Sequence, residues 1–293
     1  MASVGVAILL TAAKAWAWWL SGSIAMLAAL ADSTLDLAAS LFTLFAVGYA
    51  STPPDSDHRF GHGKAEAFAG LMQAGLVTLS GILIGIEALQ HIVDPQPITG
   101  GWISITVLVF AISVTLGLVV VQSRAIRRTG SVATRADRLH YAGDLLSNAV
   151  AACGVAAGAF FNLPMLDAGA GLFIMIWLVV GAYGVARESA NQLLDREIEE
   201  DQRLRMRALA EADPRVRGVH DMRTRISGPY MHVQFHADLD PALTLEAAHH
   251  IIVAAEERIR AEFPTADVII HPDPRGRAEP HGHEDFEPRQ SEA

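Results

Sequence analysis

The stretch "ALADSTLDLAAS", residues 29–40, decides the fold. It sets two carboxylates, Asp32 and Asp36, inside a run apolar enough for lipid. At a spacing of i, i+4 both lie on one face of a helix. Counted from the glycine turn at Gly22, they fall roughly 15 and 21 Å along the helix, near the middle of a bilayer. An acid at that depth costs on the order of 2.5–3.5 kcal/mol on insertion scales. A helix cap would account for Asp32 but leaves the second acid unexplained, so the pair requires partners elsewhere.

Working outward, the chain divides by composition. Of its 293 residues 51% are hydrophobic and 18% charged, and the mean hydropathy is +0.29. Up to about Arg187 the sequence is mostly apolar, and from Glu188 it is rich in Asp, Glu, Arg and His. That asymmetry predicts a transmembrane domain over 1–189 and a cytoplasmic α/β domain over 190–273, with a disordered tail over 274–293. The net charge of −10 argues against a nucleic-acid partner. Cys153 is the one cysteine, so neither a disulfide framework nor a cysteine zinc site forms within the chain. "MASVGVAILL" lacks a basic leader and reads as the start of a membrane segment.

A span needs about 20 apolar residues. Two fit between Met1 and Ala50, with "SGS" at 21–23 as the turn. Others are expected near Ala65–Ile92, Trp102–Val121, Leu139–Phe161 and Ala168–Ala186, giving six transmembrane helices. The loops at 51–64 and 122–138 carry Arg59, Lys64, Arg124, Arg127, Arg128, Arg135 and Arg138, and the three opposite loops carry no Lys or Arg. By the positive-inside rule, both termini are cytoplasmic. Beyond the spans, 190–211 reads as a charged helix. Two alternating segments follow, then a helical pattern over 244–263 and the strand "ADVIIH". The order α-β-β-α-β predicts a small ferredoxin-like or metallochaperone-like sandwich.

The fifth span supplies the missing partners: His140 and Asp144, again i, i+4. Asp144 lies level with Asp36 if that span ends at Gly158, and about one turn deeper if it ends at Asn162. Three carboxylates and an imidazole form a ligand set for a divalent ion, suited to Zn²⁺ or Cd²⁺ and open to Fe²⁺ or Mn²⁺. A second cluster lies in "DSDHRFGHGK", with Asp55, Asp57, His58 and His62; the histidines converge if the loop is helical. A third is spread over the cytoplasmic domain: His220, His232, His236, His249, His250, His271 and Asp273. Period-two alternation puts His232, Gln234 and His236 on one face of a strand.

These motifs together resemble the cation diffusion facilitator family, and within it the bacterial zinc exporters. The resemblance rests on "ADSTLD", "HYAGD", "DSDHRFGHGKAEA", "GVHDMRTRISGPY" and "DVIIHPDP", spread over nearly the whole chain. It implies a homodimer in the bacterial inner membrane. The implied transport site is Asp32, Asp36, His140 and Asp144, and the loop site is Asp55, His58 and His62. The implied cytoplasmic binuclear site is His220, His236, His249, His271 and Asp273, with Asp273 bridging. Lys64 and Asp195 match the family's charged interlock at the dimer interface. Of the two adjacent histidines, His250 points about 100° away from His249.

The expected function is proton-coupled efflux of a divalent cation, foremost Zn²⁺, by alternating access. Zn²⁺ is both cargo and structural ion, and protons are the counter-substrate. Fe²⁺, Cd²⁺ or Mn²⁺ export and a metal-sensing scaffold are the alternatives. A passive channel would bind its ion less firmly, and no general base stands ready for a metalloenzyme.

Overall fold

The computed structural model describes residues 1–21, 24–93, 102–160 and 164–276. The expected turn at 22–23, the loop at 94–101, the "NLP" segment at 161–163 and the tail from 277 lie outside the described residues. The chain splits into two units, Met1–Ala190 and Asn191–Ala293.

Among its described residues the first unit is helical, with α1 Ala2–Ser21, α2 Ile24–Ala50, α3 Lys64–Val93, α4 Trp102–Thr129, α5 Val132–Phe160 and α6 Pro164–Leu193. Five of these are long and apolar enough to cross a membrane, over Ala2–Leu20, Asp32–Ala50, Lys64–Gln90, Val109–Thr129 and Gly171–Leu193. The helix α5 is not among the five; it carries Arg135, Asp137, Arg138, His140 and Asp144. Large apolar side chains such as Phe45, Trp19 and Val180 stand exposed on the outside of the unit, as lipid-facing residues do.

The helices outrun their apolar stretches. The segment 122–138, expected as a basic loop, is helical apart from Gly130 and Ser131. Arginine is a good helix former, so apolar length marks only the part that can face lipid, not where the helix stops. The break is made by Gly130 at φ 65° and by Ser131, whose Oγ accepts from the Thr134 N–H at 3.1 Å to cap α5. In the same way α5 stays helical past Gly158 to Phe160.

Small residues let these helices approach closely. A Cβ on Gly143, between His140 and Asp144, would stand 2.6 Å from Leu178 Cδ2 of α6. A Cβ on Gly171 would stand 2.8 Å from the Cβ of Ala88, which has no rotamer to yield. Ala74 and Val77 of α3, Val132 and Ala136 of α5, and Ile174, Leu178, Ala182 and Val185 of α6 form one buried cluster.

The second unit follows the expected order, with α7 Glu200–Ala210, β1 Gly218–Ser227, β2 Tyr230–Leu239, α8 Leu245–Glu262 and β3 Ala266–Pro274. The stretch read as one helix over 190–211 is two: α6 ends at Leu193, Asp195 turns to φ 56°, and α7 begins at Glu200. The strand β3 includes Pro274, the first residue assigned to the tail. The sheet order is β1-β2-β3. The β1–β2 hairpin closes through Gly228, whose φ of 57° suits the first central position of a two-residue turn. The strands β2 and β3 are parallel, as the intervening helix α8 requires. Val233, Phe235, Ala237 and Leu239 of β2 face Ile251, Ile252, Ala255 and Ile259 of α8 in the core. Thr244 caps α8 by accepting from the Ala247 N–H at 3.2 Å.

Candidate metal centres

The first centre lies between α2 and α5. Both helices present residues at i, i+4 on one face, and the structure brings three of the four together. His140 Nε2 is 2.8 Å from Asp36 Oδ1 and 3.7 Å from Asp144 Oδ2. One ligand atom from each of Asp36, His140 and Asp144 lies within 4.8 Å of the others. Asp32 does not join this set: it stands exposed on α2, one turn from Asp36, and its charge acts on the group from there.

Two features beside this centre escaped the sequence reading. Asp137, one turn before His140 and 2% exposed, accepts from Gln122 Nε2 at 2.8 Å. Tyr141 is buried against Ser40, its hydroxyl 2.8 Å from Ser40 Oγ, which ties α5 to α2 next to the ligands. Tyr141 lies within "HYAGD" but shows no polar partner in the sequence, and for Asp137 the available signal was a lone acid at i−3 from a ligand histidine.

The second centre is the loop after α2. Asp55, His58 and His62 each offer a ligand atom within the same 4.8 Å limit. The loop is not helical there; the convergence comes from a turn built on Asp55 itself. Asp55 Oδ1 accepts from the backbone N–H of His58 at 2.6 Å and of Asp57 at 2.9 Å. The N–H of His58, ahead of that of Asp57 and of the neighbouring imidazoles, holds the Asp55 carboxyl below its ordinary range. Gly61, at φ 77°, then folds the chain back so that His62 Nε2 reaches 3.3 Å from Asp55 Oδ2. His62 is buried against Tyr49, whose ring lies 4.5 Å away, whereas Asp57 contributes its backbone rather than its side chain.

The third centre is made by strand register. His236 on β2 pairs with His220 on β1 and with His271 on β3, so three imidazoles form a row across the sheet. Next along the strands, Asp273 pairs with Asp238 and is 3% exposed. Its Oδ2 lies 2.9 Å from His236 Nδ1 and 3.2 Å from His220 Nε2, and its Oδ1 lies 3.2 Å from His271 Nε2. Burial by itself pushes this carboxyl up, but the hydrogen bond from His236 and the three imidazoles outweigh it and leave Asp273 below the usual carboxylate range. A β-bulge after His220, with Asp221 at φ 49°, re-aims β1 at this point. A cleft of ≈ 200 Å³ opens beside the row, between Asp221, Arg223, Gln234 and His271.

The remaining expected residues fall outside these sets. His249 is on α8 with its ring 6.2 Å from that of His250, and it is not one of the His220, His236 and Asp273 group whose ligand atoms lie within 4.8 Å. His232, on the same face of β2 as His236, is buried and lies 3.4 Å from Asp267. Lys64 opens α3, and Asp195 lies 3.3 Å from Arg225.

A domain of membrane-length helices with a carboxylate–imidazole cluster, followed by a small α/β unit with another, has the makeup of a membrane protein that handles cations. Residues 1–194 match the cation efflux transmembrane domain, and residues 198–275 match the cytoplasmic domain of cation efflux proteins. The chain belongs to the cation efflux family, the cation diffusion facilitators, which are transporters and not enzymes. It is 40% identical over 274 residues to the cation-efflux pump FieF of Cronobacter sakazakii, covering 94% of this chain and 91% of that protein. Against the FieF pump of Shewanella oneidensis the identity is 40% over 273 residues, covering 93% and 92%. A solved structure of CzrB in its zinc form is 28% identical, covers 29% of this chain and 98% of its own, and gives a TM-score of 0.28.

Proposed function

We propose that this chain exports divalent cations, Zn²⁺ foremost, from the cytoplasm in exchange for protons, working by alternating access as a homodimer in the bacterial inner membrane. The observation that carries the reading is the Asp36–His140–Asp144 cluster, three groups within 4.8 Å contributed by two helices of a cation efflux transmembrane domain. Relatives named as cation-efflux pumps support the export direction.

In this reading α5 is the sixth span, and the basic ends of α4 and α5 face the cytoplasm with both termini. The transmembrane domain covers 1–189 and a ferredoxin-like domain 190–273. Asp32, Asp36, His140 and Asp144 hold the cargo, with Asp32 closing on the ion from its turn above Asp36. Metal ligands must shed their protons, so cargo and protons compete for the same atoms. His140 is suited to carry one, since its imidazole nitrogen, 2.8 Å from the Asp36 carboxylate, can hold a proton there whenever no ion takes that atom. Asp55, His58 and His62 form a second ion site at the membrane surface. The row His220, His236 and His271 with Asp273, joined by His249, holds structural zinc, which stabilises whichever assembled form binds it. Lys64 and Asp195 serve the dimer contact.

The test is flux into proteoliposomes across a panel of Zn²⁺, Cd²⁺, Fe²⁺ and Mn²⁺ under an imposed pH gradient. Zinc uptake that rises with an opposing proton gradient and disappears in Asp36→Ala is expected. Uptake indifferent to the gradient would remove proton coupling; intact transport in Asp36→Ala would remove the site.

A further inference from the structure

Lys14 is the only Lys or Arg before Arg59, and it sits inside the apolar helix α1. It lies about 10 Å along the helix from Ser21, close enough for a lysine to stretch its ammonium towards that nearer end. It does the opposite. Its Nζ donates to Ser33 Oγ at 2.5 Å, on α2, about 14 Å along that helix from Ile24. Thr11, one turn earlier on α1, donates to the Ser33 carbonyl at 3.0 Å, so two side chains of α1 grip the same residue. Ser33 is 2% exposed and lies between Asp32 and Asp36 in sequence. The ammonium is therefore tethered beside the ligand face of α2, and its charge acts on Asp32 from α2 and on Asp144 from α5. Among the described residues, Asp36, His140, Asp137 and Tyr141 share this electrostatic neighbourhood.

We propose that Lys14 is a resident counter-cation of the cargo site, which matches the charge of the site to one divalent ion and lowers its hold on that ion. This rests on the transport reading above and deepens it. Within the ligand set alone, three carboxylates, Asp32, Asp36 and Asp144, set against one ammonium leave two negative charges, which a single divalent cation cancels; Asp137, bonded to Gln122 outside that set, is unchanged by the presence or loss of Lys14. Without Lys14 the loaded site keeps a negative charge, binds the ion more tightly and lets it go more slowly. A cargo site must release what it binds, so a fixed positive charge nearby serves turnover at the expense of affinity. Lys14 touches no cargo in this scheme; it is a positioning residue acting through field.

Removing the half-buried Lys14 must strengthen binding, the reverse of what the loss of a packing residue does. Full-length protein carrying His58→Ala and His236→Ala, which weaken the loop and cytoplasmic sites, serves as the background for Zn²⁺ equilibrium binding by competition with a chromophoric chelator. Against that background, Lys14→Met is expected to lower the Zn²⁺ Kd about tenfold, the order of effect one unit charge exerts on a divalent ion at partly screened range. In proteoliposomes with the other sites intact, Lys14→Met is expected to lower KM and Vmax together, and Lys14→Arg to restore both. Damage to α1–α2 packing gives the opposite sign, a weaker Kd and a raised KM, and that result or an unchanged Kd overturns the proposal. If Lys14→Met yields no monodisperse protein, Lys14→Gln, which keeps a donor for Ser33 without the charge, is judged by the same sign. Zinc flux by the unsubstituted chain is read separately. Its absence defeats the transport reading, while the sign of the Kd change still decides the role of Lys14.

Discussion

Replacing Asp144 by Asn separates stability from function in the proposed cargo site. The substitution keeps size and shape, and it breaks no hydrogen bond to His140, since Asp144 Oδ2 is 3.7 Å from His140 Nε2. What it removes is charge. The ligand oxygens of Asp36 and Asp144 lie within 4.8 Å of each other. At an effective dielectric of about 20, two unit charges at that distance repel by about 3.5 kcal/mol. The Asp144 side chain is 33% exposed, and solvent screening reduces the figure to about 1–2 kcal/mol. The His140 imidazole, 3.7 Å from Asp144, offsets this repulsion while it is protonated, so the gain is read at alkaline pH with the ring neutral, where at about 2–4 °C per kcal/mol the apparent melting temperature of the metal-free protein in chelator rises by about 2–8 °C. The same charge attracts the cargo, so losing about 3 kcal/mol of attraction to a divalent ion weakens binding roughly a hundredfold. Thermal unfolding in detergent with EDTA, alongside Zn²⁺ flux in proteoliposomes, reads both effects. A melting temperature that falls by more than about 2 °C would refute the repulsion argument, and so would flux at the unsubstituted rate.

Two further outcomes follow from the second unit. Asp273→Asn removes the one carboxylate that all three imidazoles of the row approach within 3.2 Å; titration calorimetry is expected to show fewer Zn²⁺ ions bound per chain, and an unchanged stoichiometry would break the assignment. The Asp213 carboxyl is held down to about 2 by hydrogen bonds from the side chain and then the backbone N–H of Arg215. A depressed carboxylate stabilises the fold above its unfolded value near 4 and loses that contribution as pH falls from about 4 to about 2. Arg215→Ala is thus expected to lower the urea midpoint modestly at pH 6, after screening at this surface pair, and most of that difference is gone by about pH 2. Urea midpoints that stay equally far apart at both pH values would contradict it.

Much of this was legible because helical periodicity is strict. Two acids at i, i+4 in an apolar run define a face, and a buried charge demands partners, which pointed to His140 and Asp144 before any distance was known. The order of elements in the second unit was readable for the same reason: strand and helix periods differ. What alternation cannot give is register. The pattern places His232, Gln234 and His236 on one face equally well, yet pairing across the sheet selects His236 for the row and leaves His232 against Asp267. The loop histidines meet by a route the sequence does not spell out, a turn on Asp55 instead of a helix. Lys14 went unread because a single cation in a span forms no pattern; only its donation to Ser33 gives it a place.

The centre between α2 and α5 and the one on the sheet differ in what holds their ligands, and that difference fits their proposed tasks. Asp273 and its three histidines sit on neighbouring strands joined by backbone hydrogen bonds, so the ligand atoms are fixed relative to one another whether or not an ion is present. Asp36 and the pair His140 and Asp144 sit on helices that pack chiefly elsewhere: α2 against α1 and α3, α5 against α4 and α3. Between α2 and α5 the contact is short, and it includes the proposed cargo ligands and the Tyr141–Ser40 bond. An ion there joins two elements that little else joins, so its arrival and departure change how firmly they are coupled. A rigid cradle suits an ion that stays. A seam that closes on its ion and loosens without it suits an ion that must be passed across the membrane.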